Sequence, residues 1–338
     1  MLRAVLRATD SGPQRDALTL VKSVYHPTDA ASLPACTVDL PALESLDLSH
    51  CTELETLPCS IGNLTMLTLL DLTNCNSLMH LPASIGNLTA LESLSLRGCD
   101  KISRLPDTIG ALASLETLTV SCCSDMAILP ACLGDLAALT WLSISMCGTL
   151  TALPDSICNL MHLRMLTLEE LPIETLPQSI GRLTALQVLE VERCDAFRSL
   201  PDSIGGLQSL AHLTITDTEA LVALPDTLCS LSALITLELS RCTQLTALPN
   251  RVGDMQALEY IDLEDCELLA ALPDSMGNLQ LLKRLYIVNC HQLTELPRAL
   301  LQLNRLTRID AEGCQDVVTA TAEALAAVNL AIEAVSNR

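Results

Sequence analysis

Aromatic side chains are nearly missing: one Trp, three Tyr and one Phe in 338 residues, 1% of a chain that is 49% apolar. A core therefore has to be made from Leu, Ile, Val, Ala and Cys, and an apolar fraction this high argues for a folded chain. Positive charge is scarce too. Lys and Arg number 19 against 40 Asp and Glu, a formal net charge of -21, so nucleic-acid backbones and anionic membranes are unfavourable partners because like charges repel at range. A partner protein with a basic or neutral surface fits better. No run of about 18 apolar residues exists to span a bilayer, and MLRAVLRATDSGPQRD lacks the apolar stretch of a secretory signal. Its arginines are a faint mark of an organelle transit peptide, against which stand its shortness, Asp10 and Asp16. Catalytic signatures are missing as well. There is no GxxxxGK(S/T), GxGxxG, GxSxG or HExxH, and the six His fall in unrelated phases, so no nucleophile and base converge. Neither an enzyme nor a cofactor or metal site is expected.

What is present is a repeat. The pair Leu-Pro sits at 33, 57, 81, 105, 129, 153, 176, 200, 224, 248, 272 and 296, every interval being 24 except one of 23. The unit reads LPxSIGxLxxLxxLxLxxCxxLxx, and its halves carry different periods. In LESLSL, Leu94 and Leu96 alternate with Ser93 and Ser95, the period of a strand with one buried face. In SIGNLTAL, Ile85, Leu88 and Leu91 recur every three residues, which predicts a helical turn, and Pro82 suits its start, where a missing N–H costs nothing. Asp107, Asp155, Asp202, Asp226 and Asp274 follow that proline and place negative charge at the positive end of the turn. A strand and a turn in so few residues cannot bury an apolar face alone, so the units must stack. Parallel strands then fuse the Leu columns into one core, and turns wider than strands make the stack curve.

The pattern LxxLxLxx(N/C)xxL begins at Leu43, Leu67, Leu91, Leu115, Leu139, Leu163, Leu186, Leu210, Leu234, Leu258, Leu282 and Leu306. In this it resembles the leucine-rich repeat family over about residues 33–317. The resemblance implies an α/β solenoid, a leucine-rich repeat horseshoe with a concave parallel β-sheet, short helical turns on the convex side and a C-terminal capping helix. The subtype is similar to the repeat region of plant intracellular nucleotide-binding disease-resistance receptors, in which long units alternate with shorter ones. Here the short unit is LEELPIETLPQSIGRL, where Leu171 replaces the cysteine and Ile173 resumes the core column one residue early. The nucleotide switch of those receptors has no counterpart here, so only recognition carries over. Bacterial effectors use similar units.

Cys51, Cys75, Cys99, Cys123, Cys147, Cys194, Cys242, Cys266, Cys290 and Cys314 all fall three residues after the last strand apolar residue. The family resemblance implies that this position turns inward and satisfies backbone groups of the loop, a slot that suits a thiol. A soft-metal ladder is the alternative, but one ligand per repeat at about 4.8 Å makes a row rather than a tetrahedron. Sixteen mostly buried thiols, with no CxxC and no cysteine-rich end caps, read as reduced, and the expected location is cytoplasmic. The sequons at Asn63 and Asn87 are the GNLT variant of the repeat.

Function is expected on the outward side chains of the sheet, where the repeat is free to vary. Counted from the first Leu of LxxLxLxx, the fifth strand position carries Asp47, Asp71, Glu190, Glu238, Asp262 and Asp310, and acid concentrates from the sixth repeat onward with Glu169, Glu192, Glu264 and Glu312. A charged face can also simply be solvated. Trp141, Tyr260 and Tyr286 fall on outward positions, with Met146 and Met165 on either side of Trp141, and large groups exposed there are what binding hot spots are made from. The bland alternative is that broad side chains only cover the pleats. The predicted protein-binding site is Trp141, Met165, Glu190, Glu238, Tyr260, Asp262 and Tyr286, spanning roughly 29 Å at about 4.8 Å per strand, a protein-sized rather than metabolite-sized surface. At the ends, residues 1–32 are expected to hold a loose start (1–15) and a degenerate strand from Leu18, residues 33–317 the solenoid, and residues 318–338 a capping helix with Val318, Ala322, Leu325, Val328 and Ile332 near one face. The function expected is recognition or scaffolding, the alternative a pathogen effector that blocks a host protein with the same surface.

Overall fold

A computed structural model describes residues 22–25, 31–33, 40–316, 318–325 and 327. The chain divides into two compact units, Met1–Leu163 and Arg164–Arg338. The first carries β1 (Ser23–Tyr25), β2 (Ser45–Asp47), β3 (Leu69–Asp71), β4 (Ser93–Ser95), β5 (Thr117–Ser121) and β6 (Trp141–Ser145). The second carries β7 (Met165–Glu169), β8 (Val188–Glu192), β9 (His212–Thr216), β10 (Thr236–Glu238), β11 (Tyr260–Asp262), β12 (Arg284–Tyr286) and β13 (Arg308–Asp310). Within each unit the strands pair in parallel and in chain order, and from β2 onward each is linked to the next through a short helical turn.

Repeat length sets the register. Ser93 faces Thr117 and Thr236 faces Tyr260, residues one full repeat apart, so like positions stack on like. Alternation then sends the middle residue of each three-residue strand inward, while Leu69 at the start of β3 faces out. Leu94, Leu118 and Leu142 are almost fully buried in the first unit, as are Leu213, Leu237 and Leu285 in the second. Each such burial contributes about 2 kcal/mol before the entropy of ordering is subtracted.

The turns are 3-10 rather than α, as a three-residue apolar spacing demands. In Ala83–Asn87 the bonds run Ile85 N–H to Pro82 carbonyl at 2.9 Å and Leu88 N–H to Ile85 carbonyl at 3.1 Å. Proline takes the cap position in most turns, and the expected aspartates, such as Asp107 and Asp274, occupy the first residue. Glycine inside the turn lets neighbours approach: a Cβ on Gly86 would stand 2.5 Å from the Thr108 carbonyl oxygen.

The shortened unit leaves the sheet intact. β7 and β8 pair along all five residues, from Met165 with Val188 to Glu169 with Glu192, while Leu166, Leu168, Leu171 and Ile173 stay buried. The loop after Leu168 absorbs the missing residue.

Before Leu33, β1 lies at the end of the segment expected to form a strand and pairs with β2, Val24 facing Leu46; residues 1–15 fall outside the described residues. At the other end residues 316 and 318–325 are helical, and Val318, Ala322 and Leu325 are buried. The expected contacts of Val328 and Ile332 fall outside the described residues.

Candidate functional site

The cysteine column is the internal side of the story. Cys75, Cys99, Cys242 and Cys266 each donate from Sγ to the carbonyl of the last strand apolar residue in the preceding repeat, at 3.2 Å in every case. The Leu48, Leu72 and Leu239 carbonyls also accept the N–H of their own repeat's cysteine, as Leu72 does from Cys75 at 3.1 Å, so both lone pairs are used. Burial pushes the Cys75 and Cys99 thiols up to about 12, which makes them poor nucleophiles and ligands. Thr218 fills the slot in the eighth repeat and lies 3.1 Å from Cys242 Sγ. Apart from Cys51 and Cys158, the cysteines among the described residues are free thiols, and Cys59, Cys122, Cys132 and Cys314 are the more accessible ones.

One residue before this slot the backbone turns left-handed. His50, Asn74, Cys122 and Met146 in the first unit and Glu170, Arg193, Asp217, Arg241, Asp265 and Asn289 in the second all have φ between 50° and 63°. Non-glycine residues accept this conformation at a cost, and their side chains form an edge column of mutual contacts. Arg193 pairs with Glu169 and Glu170, Arg241 with Asp217 and Asp265, and Asn289 donates to Asp265 at 2.7 Å.

The outward face of the first unit's sheet is dominated by hydroxyls on β4–β6. Thr117 Oγ1 donates to Ser93 Oγ at 2.9 Å, and Ser145 Oγ to Ser121 Oγ at 2.6 Å. Trp141 opens β6 and is 45% exposed. Met146 does not flank it, as the sequence pattern had placed it: it lies beyond the far end of β6, about 16 Å away along an extended strand, with Sδ 3.4 Å from Cys122 Sγ. The intervening strand residues each advance the chain, so sequence nearness becomes distance.

The second unit's face is different. Met165 opens β7 and pairs with Val188, apart from the tyrosines. Glu190 stands at the middle of β8, and Glu238 and Asp262 at the ends of β10 and β11, all half-buried. Thr167 Oγ1 donates to Glu190 Oε2 at 2.9 Å and Thr214 Oγ1 to Glu238 Oε2 at 3.2 Å, so threonines on the preceding strands hold both carboxylates. Asp262 Oδ1 accepts the Glu264 N–H at 3.0 Å and its Oδ2 accepts the Tyr260 hydroxyl at 3.0 Å. Tyr260 and Tyr286 pack with ring centroids 5.5 Å apart at 42°, and the Arg308 guanidinium lies 5.1 Å over Tyr286.

Charge on this face is unbalanced. Among the described residues no cation lies within ion-pair distance of Glu190, Glu192, Glu238, Asp262 or Glu264. Burial, then Glu190, Asp217 and Glu238, holds the Glu192 carboxyl above its ordinary range, and burial with Asp262 and Asp265 does the same to Glu264. Burial and the Asp262 carboxylate push the Tyr260 phenol up. The sequence pattern had gathered the acids and tyrosines but not Arg284 and Arg308, which occupy the third strand position beside them. Reading that column as the fifth was read finds both. Among the described residues no group of three His, Cys, Asp or Glu side chains could hold a metal ion, and no helix is long and apolar enough to cross a membrane.

Comparison with known proteins agrees with this architecture. Residues 152–244 match the model of a leucine-rich repeat region and residues 42–64 that of the Leucine Rich Repeat. No curated protein matches the chain significantly. A leucine-rich repeat protein of Leptospira interrogans is 23% identical over 93% of this chain and 96% of that one, with a TM-score of 0.53. The leucine-rich repeat domain of the type III effector XopL is 29% identical over 68% of this chain and 72% of that one, with a TM-score of 0.50. The functional domain of InlJ from Listeria monocytogenes, described as including a cysteine ladder, is 19% identical over 89% of this chain and 65% of that one, with a TM-score of 0.59.

Proposed function

We propose that this chain of leucine-rich repeats is a non-enzymatic recognition or scaffold protein, and that it takes a basic partner protein on the outward sheet face of its second unit. The observation that carries this is the row of carboxylates with no ion-pair partner among the described residues, Glu190, Glu192, Glu238, Asp262 and Glu264, beside the Tyr260–Tyr286 pair. Such charges repel one another in the free protein, and a cationic partner relieves that repulsion while steering its own approach. The tyrosines and Met165 supply the desolvated contacts from which affinity comes. Trp141, on the first unit's face, is a separate apolar anchor. Free, mostly buried thiols support residence in a reducing compartment such as the cytoplasm. The resemblance to the repeats of plant intracellular receptors supports a part in immune or signalling recognition.

A second reading is favoured by the 29% identity to the XopL repeat domain: an effector that uses the same face to occupy a host protein. Both readings share the surface and differ in whether the chain is exported. Affinity capture at physiological salt, run in parallel with wild type and with a Tyr260→Ala, Glu238→Gln variant, tests the surface. A protein retained by wild type and lost by the variant supports it; equal retention by both refutes it. Export by a type III secretion system in a reporter assay separates the effector from the receptor-like reading.

A further inference from the structure

The corner of the second unit's face around Tyr260 has the parts of a guanidinium seat. Tyr260 opens β11, in register between Thr236 on β10 and Arg284 on β12. On the β12 side its ring packs against Tyr286, whose own face is taken by Arg308. Thr236 on the β10 side is short and bonded to His212 at 3.1 Å, so no broad side chain of that strand stands beside the ring. Two strand positions along, Glu238 and Asp262 face each other in register, the first held by Thr214 and the second by the Tyr260 hydroxyl. Neither has a cation within ion-pair distance among the described residues.

The stack already contains one occupied instance of the contact. Arg308 lies on Tyr286 and pairs with Asp310 at 3.4 Å, a guanidinium on a tyrosine with a carboxylate from a fifth strand position at its edge. Tyr260 with Asp262 and Glu238 presents the same chemistry without the cation. A planar, always charged group that stacks on an aromatic face while donating to two carboxylates is an arginine side chain; a lysine ammonium is a strongly hydrated point charge that uses the carboxylates but gains little from the ring plane.

We propose that Tyr260, Glu238 and Asp262 form an arginine seat, in which the partner inserts a guanidinium against the Tyr260 ring with its N–H groups on the two carboxylates. This rests on the reading of the second unit's face as the partner surface, and it sharpens that reading from a basic surface to a particular side chain. Salt matters less for this contact than for the surrounding acids, because the ring and the half-buried carboxylates are shielded from solvent ions.

The test uses the full chain and three capped peptides of one sequence, Gly-Xaa-Gly-Xaa-Gly, with Xaa arginine, lysine or the neutral isostere citrulline, titrated by calorimetry. The arginine peptide is expected to bind about five-fold more tightly than the lysine peptide, the size of a partly desolvated cation–π contact, and both more tightly than citrulline. Tyr260→Leu is expected to abolish the arginine preference while leaving the lysine peptide nearly unchanged; Glu238→Gln is expected to weaken both. Circular dichroism confirms that each variant folds. Equal binding of arginine and lysine peptides, or an arginine preference that survives Tyr260→Leu, overturns the seat but leaves the acidic face standing if Glu238→Gln still weakens both. No binding of either cationic peptide above citrulline overturns the seat as well. Only the loss of surface dependence in partner capture overturns the reading beneath it.

Discussion

The two units use one scaffold and present opposite surfaces. In the first, hydroxyls on β4–β6 bond to one another across the strands, Thr117 to Ser93 and Ser145 to Ser121, so that face satisfies itself. In the second, Glu190, Glu192, Glu238, Asp262 and Glu264 stand among the outward side chains, and Arg193 and Arg241 are engaged at the edge column with other acids. Beneath both faces lie the same Leu columns and thiol ladder. The difference shows that the repeat fixes what is inside and leaves the outward positions free, and that an unbalanced face marks where something else is required.

If the scaffold is common, core truncations must cost the same in both units. Leu94→Ala in the first and Leu237→Ala in the second each remove a nearly fully buried strand leucine, and each is expected to destabilise by about 3 kcal/mol in chemical denaturation. A difference of more than about 2.3 kcal/mol between them is outside the spread of buried Leu→Ala changes and breaks the equivalence of the two cores. The ladder should matter less. Cys99→Ala removes a buried thiol, but Leu72 keeps the Cys75 N–H, so no carbonyl is orphaned; the expected loss is about 1 kcal/mol. Thiol titration sharpens the same point. Native protein should show Cys59, Cys122, Cys132 and Cys314 reacting fast among the described cysteines, and denatured protein close to all sixteen as free thiols. A large deficit after denaturation contradicts the reducing compartment.

The smallest expected effect distinguishes the faces by pH. Glu192 and Glu264 have folded pKa values above the usual 4.5, so the folded state binds more protons than the unfolded one and their repulsion weighs on stability at neutral pH. Stability of the second unit should therefore rise as pH falls from 7 through that raised range. Glu192→Gln should flatten the slope. A slope of the opposite sign, or one unchanged in the variant, removes repulsion as the description of this face.

Much of the interior could be read from residues alone. The interval of 24 residues sets the strand register, the alternation around Leu94 its buried face, and the spacing of Ile85, Leu88 and Leu91 the tight turn, because each is a local period with one geometric solution. The cysteine phase likewise matched its slot. The surface was legible only in part. The acids and tyrosines could be placed on one face, but the bonds that position them, Thr167 to Glu190 and Thr214 to Glu238, join residues a repeat apart and are visible only once the register is known. The left-handed position was hidden for another reason: glycine occupies it at Gly98 and Gly313, but ten other residues take it elsewhere. Met146 was misplaced beside Trp141 because a strand separates what the sequence sets close.

The most direct measurement is the dissociation constant of the captured partner for wild-type protein and for the Trp141→Ala, Tyr260→Ala double variant, at low and high salt. Each truncation is expected to cost on the order of 2 kcal/mol if its ring is a hot spot, so the double variant should bind at least roughly thirty-fold more weakly with its fold unchanged. A single Glu190→Gln change should cost less and lose its effect at high salt. A double variant that binds as tightly as wild type contradicts the assignment of these faces to partner recognition.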